Sequence, residues 1–184
     1  MRKFPVVYMR GGTSKGCLFH REDLPEDSKE WDEIFLQVMG NPDPKQMDGM
    51  GGTVSSNNKI VIIWKSALPN VDIEYLVGQV IVGKKQVDYK SNCGNMTAAV
   101  PAYAVEEGMV PIVEPVTTVR MLNKNTDKYI NVTVPIDPRT HTFAQEGDCH
   151  IAGIDGTAAE LKVNFLDPAG AKTGKLLPTG KALD

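Results

Sequence analysis

Ser91-Asn92-Cys93-Gly94-Asn95-Met96 opens an apolar run that ends near Gly108. The run carries no charged residue before Glu106, which predicts a helix buried on all sides rather than laid on a surface. Asn92 is the expected N-cap of this helix, and Gly108 is the expected stop after its last turn. Pro101 removes one backbone hydrogen bond within the run and is expected to bend the helix. A helix with no solvent face requires the rest of the chain to fold around it.

The thiol at the start of this helix has unusual neighbours. A free cysteine is most often a small buried hydrophobe, but Asn92, Gly94 and Asn95 flank Cys93 where a packing role would favour Val or Ala. The first turn of a helix offers unpaired N–H groups and a partial positive charge, which together bind carboxylates. The stretch therefore predicts a loop that faces an anion.

Size and charge narrow the class of protein. The 184 residues are enough for one domain with a sizeable core, or for a domain with a tail. The net charge of −3 and the scattered basic residues argue against a nucleic-acid surface. No apolar run is long enough to span a bilayer, and the N-terminus lacks the apolar core of a signal peptide. Three widely spaced cysteines predict free thiols. We therefore expect a cytoplasmic protein.

A second polar loop, Arg10-Gly11-Gly12-Thr13-Ser14-Lys15-Gly16, separates two predicted strands. It lacks the glycine–lysine spacing of a nucleotide phosphate loop, and a strand rather than a helix follows it. Its two hydroxyls and two cations suit a carboxylate ligand, while a solvated hairpin turn fits the same residues. The pattern leaves both interpretations open.

A third polar loop runs from Gly49 to Asn58 and ends at Lys59, directly before the apolar strand Ile60–Trp64. A lysine beside an apolar strand loses solvation, which favours the neutral amine that a general base needs. Most lysines at strand ends instead point into water. The loop is either a flexible turn or a substrate loop with Lys59 as its reactive group.

The remaining chain alternates short strands and turns around one amphipathic helix. Asp27 or Ser28 is expected to cap a helix that runs through Val38, because Trp31, Ile34 and Phe35 recur at helical spacing. Further strands are predicted over residues 4–9, 17–19, 71–82 (one or two strands), 117–122 and 129–135 (a hairpin), 141–144 and 162–165.

Two apparent motifs near the C-terminus fail on spacing. Cys149-His150 has no second pair of ligands nearby, so we predict no metal site. Gly170-Ala171-Lys172-Thr173-Gly174-Lys175 is one residue too short for a phosphate loop, and Leu176 stands where a hydroxyl must hold magnesium.

Taken together, these stretches resemble one family. Met9–Gly16, Asp48–Lys59 and Asn92–Asn95 are similar to segments of the 2-methylaconitate cis–trans isomerases known as the PrpF family, whose relatives include methylitaconate isomerase and oxalomesaconate tautomerase. Phe165–Gly170 with Lys172-Thr173-Gly174, and Leu177-Pro178-Thr179-Gly180, match in the same order. The resemblance therefore covers the whole chain, with a departure from the family pattern at Asn57-Asn58.

The resemblance implies an α+β, diaminopimelate-epimerase-like fold, in which a curved and mostly antiparallel sheet rolls around the central helix. It also implies two similar domains with the active site in the cleft between them. Residues 1–175 are then expected to form the N-terminal domain, and residues 176–184 the start of the connection to a second domain that lies outside this chain.

The implied activity is isomerisation of a small unsaturated polycarboxylate such as 2-methylaconitate, in the methylcitrate cycle of propionate catabolism, with no metal or organic cofactor. Under this resemblance Lys59 is the base and Cys93 a second acid/base or polar contact. The expected substrate-binding residues are Thr13, Ser14, Lys15, Ser56, Asn57, Asn92, Gly94, Asn95 and Met96. A homo-oligomer and an aconitase-like dehydratase are the expected partners, with no nucleic acid and no membrane.

Two other functions remain open at this point. A half-length chain that keeps the anion loop can act as a non-catalytic polycarboxylate-binding or accessory domain. An amino-acid epimerase of the same fold is the other alternative, although it normally uses one thiol from each domain.

Overall fold

The computed structural model describes residues 2–170 and 173–183. Lys172, part of the glycine-rich motif near the C-terminus, lies outside the described residues. The strands are β1 (Val7–Gly11), β2 (Ser14–His20), β3 (Lys59–Lys65), β4 (Ile73–Val80), β5 (Val87–Asp88), β6 (Val116–Asn123), β7 (Lys128–Asp137), β8 (Thr142–Phe143) and β9 (Lys162–Phe165). The α-helices are α1 (Trp31–Met39) and α2 (Gly94–Glu106).

These strands form a single curved sheet in the order β1-β2-β3-β4-β6-β7-β8. β5 pairs with β4, and β9 pairs with β7. Two neighbouring pairs, β2–β3 and β4–β6, are parallel, and the other pairs are antiparallel. Each parallel pair is joined by a long crossover that carries a helix, α1 in the first and α2 in the second. The predicted α+β architecture is confirmed.

Both faces of the central strands β2 and β3 are buried, one face against α1 and the other against α2. Val61 and Ile63 of β3 belong to the cluster around α2, whereas Ile60 and Ile62 belong to the cluster around α1. Alternate residues of a strand point to opposite faces. This explains why β3 is an uninterrupted apolar run, a pattern typical of strands covered on both sides.

Helix α2 is the buried central helix that the sequence predicts. Nine of its thirteen residues are buried, and the first exposed charge is Glu106. Gly108 takes a positive φ of 62° just after the helix ends, a conformation that glycine adopts without steric cost. The helix continues through Pro101, which is itself buried.

The predicted N-cap of α2 is wrong by one residue. Cys93, with extended backbone, occupies the cap position, and the Asn92 side chain lies one step earlier. The Oδ1 atom of Asn92 accepts a hydrogen bond from the Cys93 N–H at 2.8 Å. An asparagine can bond a neighbouring backbone group in this way outside a helix, so sequence preference alone does not fix the cap.

The first two strands also differ from the prediction in their limits. β1 begins at Val7 rather than at residue 4, and β2 begins at Ser14 rather than at residue 17. Only Gly12 and Thr13 remain between the strands, so the predicted loop from Arg10 to Gly16 is a tight hairpin. The region 71–82 contains one strand, β4.

The predicted amphipathic helix is α1, which starts at Trp31 after a short 3₁₀ turn over Ser28–Glu30. Asp27 caps that turn by accepting from the Lys29 N–H. No helix among residues 2–170 and 173–183 combines the length and the apolar character that crossing a membrane requires.

Candidate functional site

The start of α2 meets the β1–β2 turn. The Asn95 side chain donates to Thr13 Oγ1 at 2.9 Å and to Ser14 Oγ at 3.2 Å. Cys93 Sγ lies 3.9 Å from Ser14 Oγ. The structure therefore brings four of the sequence-predicted site residues into one cluster.

Two glycines allow this close approach. A Cβ atom at Gly11 would lie 2.4 Å from the backbone oxygen of Asn95, and one at Gly12 would lie 2.3 Å from the Asn95 side-chain oxygen. Gly12 also has a positive φ of 51°. Any side chain at these positions would push the turn away from the helix, because real Cβ atoms do not come this near to other heavy atoms.

The first turn of α2 offers unpaired backbone donors beside this cluster. Within the described part of the chain, the N–H groups of Gly94, Asn95 and Met96 have no hydrogen-bond acceptor. Orphan N–H groups of this kind attract an anion at a helix N-terminus. The Met96 side chain is fully buried in the α2 cluster, so only its backbone N–H can contribute to binding.

The Asn92 side chain contacts several groups at the start of α2. Its Oδ1 atom also accepts from Thr97 Oγ1 and Asn123 Nδ2, both at 3.2 Å. Thr97 Oγ1 lies 2.8 Å from the Tyr75 hydroxyl, whose pKa is raised mainly by burial. The Asn92 oxygen therefore lies within hydrogen-bond distance of three groups of this chain, one of which is the Cys93 N–H.

Lys59 lies at the same end of the sheet and on the same face as this cluster. Across the parallel pair, Lys59 is opposite Gly16, two residues beyond Ser14 on β2. The alternation of β3 puts Lys59 on the face of Val61 and Ile63, which is the face covered by α2. The lysine is partly buried, and its Nζ atom donates to Gln79 Oε1.

Ser56 and Asn57 lie in a short 3₁₀ turn, Ser55–Asn57, directly before β3. Both side chains are partly buried, and Ser56 Oγ contacts Asn57 Oδ1 at 3.4 Å. This turn is held in place by two buried amides, Gln46 and Asn58, which are hydrogen-bonded to each other. In the sequence, Asn58 is noted only as a departure from the family pattern and Gln46 is not identified, since nothing local distinguishes these amides from solvated loop residues.

Lys15 is separated from the cluster. It follows Ser14 on β2, so the two side chains leave the strand on opposite faces. The Lys15 ammonium lies 5.6 Å from the centroid of the Tyr8 ring, in a cation–π contact. The structure does not bring Lys15 together with Cys93 and Asn95.

A cavity of about 510 Å³ lies farther along α2, between Ala98, Ala102, Glu106 and the loop that contains Cys149 and Thr157. It reaches Gly11 and Gly12, but Cys93 and Lys59 are not among the described residues that line it. Its wall is largely apolar, whereas a carboxylate needs polar donors. The chemistry of the side chains therefore favours the start of α2 as the site.

Known proteins resemble this chain along its whole length. A 3-methylitaconate isomerase of Eubacterium barkeri is 41% identical over 99% of this chain and 47% of its own length. A 2-methyl-aconitate isomerase of Shewanella oneidensis is 42% identical over 99% of this chain and 49% of its own length. The chain thus spans about half the length of these curated relatives.

Solved structures give the same result for the fold. A crystal structure of methylitaconate-delta-isomerase superimposes with a TM-score of 0.91 at 41% identity, covering 98% of this chain and 46% of that chain. A hydroxyproline epimerase from Agrobacterium vitis shares only 12% identity, with a TM-score of 0.50 over 76% of this chain and 39% of its own. These neighbours confirm the predicted diaminopimelate-epimerase-like fold. The family described as PrpF protein matches residues 1–184, and the chain therefore belongs to the PrpF family.

Proposed function

We propose that the protein is a cofactor-independent isomerase that moves a proton next to a double bond of a small unsaturated polycarboxylate, and that this chain supplies one wall of its active site. One observation carries the proposal. Cys93, Ser14, Asn95 and three unpaired N–H groups cluster at the start of α2, and Lys59 lies at the same end of the same sheet face. The isomerase relatives support the substrate class, because they act on acids of this kind by name.

In the proposed reaction, the neutral amine of Lys59 removes an allylic proton from the substrate. The electron pair of the broken C–H bond delocalises through the double bond into the carboxylate, which gives a dienolate. Rotation about the former double bond, or return of the proton at another carbon, then produces the isomer. Lys59 or the Cys93 thiol supplies the returning proton, so no net proton is gained or lost.

The start of α2 has the donors to hold the charge that develops. The N–H groups of Gly94, Asn95 and Met96 and the hydroxyls of Thr13 and Ser14 are fixed before the substrate arrives. Fixed donors aimed at developing charge stabilise a transition state without reorganising. Ser56 and Asn57 extend the proposed site toward Lys59.

The wider setting is also part of the proposal. Residues 1–175 form the N-terminal domain and 176–184 lead toward a second domain that closes the cleft, as the half-length coverage of the relatives supports. The preferred substrate is 2-methylaconitate in the methylcitrate cycle, in the cytoplasm. A homo-oligomer and an aconitase-like dehydratase are the proposed partners.

The test is turnover by the full-length protein of 2-methylaconitate, 3-methylitaconate and 4-oxalomesaconate in D₂O, followed by proton NMR. We expect one acid to isomerise with deuterium uptake. Lys59→Ala is expected to lower kcat by a factor of roughly 10³ or more, since general base catalysis and positioning are lost together. Cys93→Ala is expected to lower kcat less.

Lys65→Ala is the matched control, because Lys65 is an exposed lysine at the opposite end of the same strand. It is expected to keep the parent kcat. Binding of an acid without turnover by the parent would instead support the accessory-domain function. Lys59→Ala with a kcat within threefold of the parent would show that the base is another residue.

A further inference from the structure

Gln79 has an orientation that the surrounding backbone fixes. Its Nε2 atom, which carries two hydrogens, lies within hydrogen-bond distance of three carbonyl oxygens, those of Ser55 and Asn58 at 3.1 Å and of Val80 at 3.0 Å. Because carbonyls accept and do not donate, the NH₂ group must point toward them. The Oε1 atom must therefore point the other way, where it accepts from Lys59 Nζ.

The register of the sheet places the two side chains next to each other. Lys59 and Gln79 are directly opposite each other in the antiparallel β3–β4 pair, where facing side chains have neighbouring Cβ atoms. Both side chains are partly buried, which restricts the paths that the lysine can take. The same amide fastens the Ser55–Asn58 turn that lies next to Lys59 in sequence.

Resting on the proposed function, we infer that Gln79 is a positioning residue: its side-chain oxygen holds the Lys59 amine by a hydrogen bond at the end of the sheet where α2 begins. A carbonyl oxygen accepts more strongly from an ammonium than from a neutral amine. The contact also restricts the positions that the Lys59 amine can occupy. Gln79 itself need not touch the substrate.

Few titratable groups surround Lys59 on this face. Cys93 stands at the start of α2, and Asp88 of β5 is paired with Gln79. The Asp88 carboxylate accepts from the Lys90 N–H at 3.1 Å. On β2, the residue opposite Lys59 is Gly16, and Lys15 leaves from the other face.

Two substitutions of Gln79 in the full-length protein distinguish two roles of this residue, positioning Lys59 and anchoring the Ser55–Asn58 turn. Gln79→Met and Gln79→Glu both remove the Nε2 group and its contacts to the three carbonyl oxygens, but only Gln79→Glu keeps an acceptor for Lys59. Competitive acetylation of Lys59 with acetic anhydride, read by mass spectrometry across pH, titrates the amine without requiring turnover. Gln86→Met is the matched control, since Gln86 is exposed and lies only seven residues away.

We expect the two variants to move the Lys59 titration in opposite directions. Gln79→Met should shift it by about half a pH unit or more to lower pH, because the ammonium loses its acceptor. Gln79→Glu should shift it to higher pH, because a carboxylate stabilises the ammonium. The acid limb of kcat/KM should follow each shift. Gln79→Met should also lower kcat ~10–100-fold with KM within about threefold, as expected for a misplaced base.

Unchanged Lys59 titration in both variants, or shifts in the same direction, would overturn the inference and leave Gln79 as an anchor of the turn. Opposite shifts would support it. Failure of the parent protein to isomerise any of the three acids would overturn the proposed function alone, because the acetylation result is read separately.

Discussion

The two thiols Cys17 and Cys93 differ in their exposure to solvent. Cys17 is fully buried in the cluster around α1, and burial raises its pKa to about 12. Cys93 is partly exposed at the start of α2. The thiolate is the reactive form of cysteine. Burial therefore makes Cys17 unreactive in two ways, because reagents cannot reach the sulfur and the thiol stays protonated.

We predict that iodoacetamide at pH 8 modifies Cys93 at least ~10-fold faster than Cys17 in the folded protein, because the Cys17 thiol stays protonated and enclosed. Peptide mass spectrometry over a time course measures both rates. Unfolding in urea is the control and should bring the rates together. Equal rates in the native protein would contradict the burial of Cys17.

Residues with distinctive chemistry could be predicted from the sequence, and residues with a supporting role could not. Cys93 and Asn95 stand out because amides and a glycine replace the small apolar neighbours of an ordinary buried cysteine. Gln79 and Gln46 are ordinary glutamines in sequence. Their partners lie 20 and 12 residues away, and only the register of the sheet and the path of the loop bring them together.

At the scale of elements, an ion pair ties the turn before β4 to β6. Arg120 donates to Asp72 through its guanidinium at 3.0 and 2.6 Å, and through its backbone N–H at 2.8 Å. The Asp72 N–H donates in return to the Arg120 carbonyl at 2.8 Å. The Arg120 side chain, by its hydrogen bonds to Asp72, lowers the pKa of that carboxyl.

We predict that Asp72→Asn destabilises the protein by roughly 1 kcal/mol at neutral pH, the scale of a partly exposed ion pair. A carboxyl whose pKa is lower in the folded state contributes stability above its unfolded pKa, and this contribution disappears as pH falls through the folded value. The difference in unfolding free energy between parent and variant should therefore shrink below about pH 4. Urea denaturation at several pH values measures it, and a pH-independent difference would contradict the assignment.

Helix α2 could be predicted from sequence because the absence of charge over a dozen residues permits no exposed face. The limits of β1 could not. Phe4-Pro5-Val6 is as apolar as a strand, but pairing with β2 begins only at Val7 and extends into the glycines of the turn. That extension depends on contact with Asn95, which lies more than 80 residues later in the chain.

We predict that Val100→Asp prevents folding, because Val100 is fully buried in the α2 cluster. An unpaired buried carboxylate costs several kcal/mol, comparable with the whole stability of a domain. Circular dichroism and thermal melting measure the effect. Val113→Asp is the control, since the Val113 side chain is 61% exposed, and it should melt like the parent. A cooperative melt for Val100→Asp would show that the helix has a solvent face.

For the whole molecule, we predict that a polypeptide of residues 1–184 folds but turns over little or none of the substrate. The two core clusters are complete enough to enclose α2, but Thr13, Gly94 and Asn95 face solvent. Contacts to a carboxylate are weak where water screens them. The measurement is kcat on 2-methylaconitate beside the full-length protein, with light scattering to detect self-association through the exposed Val6, Val7 and Tyr8. Turnover at the full-length rate by a monomer would contradict the prediction.

The position of α2 in the middle of the chain has a consequence during translation. The helix packs against β1 to β4, which are made before it, and against β7 and β8, which are made after it. Strand β9, which closes the sheet beside β7, follows α2 by roughly 60 residues. Synthesis proceeds at ~5–20 residues per second. Several seconds therefore pass between synthesis of the apolar helix α2 and synthesis of the last strand that packs near it. During this interval the nascent chain exposes apolar surface that is prone to aggregate, and slow codons between residues 107 and 165 would lengthen it.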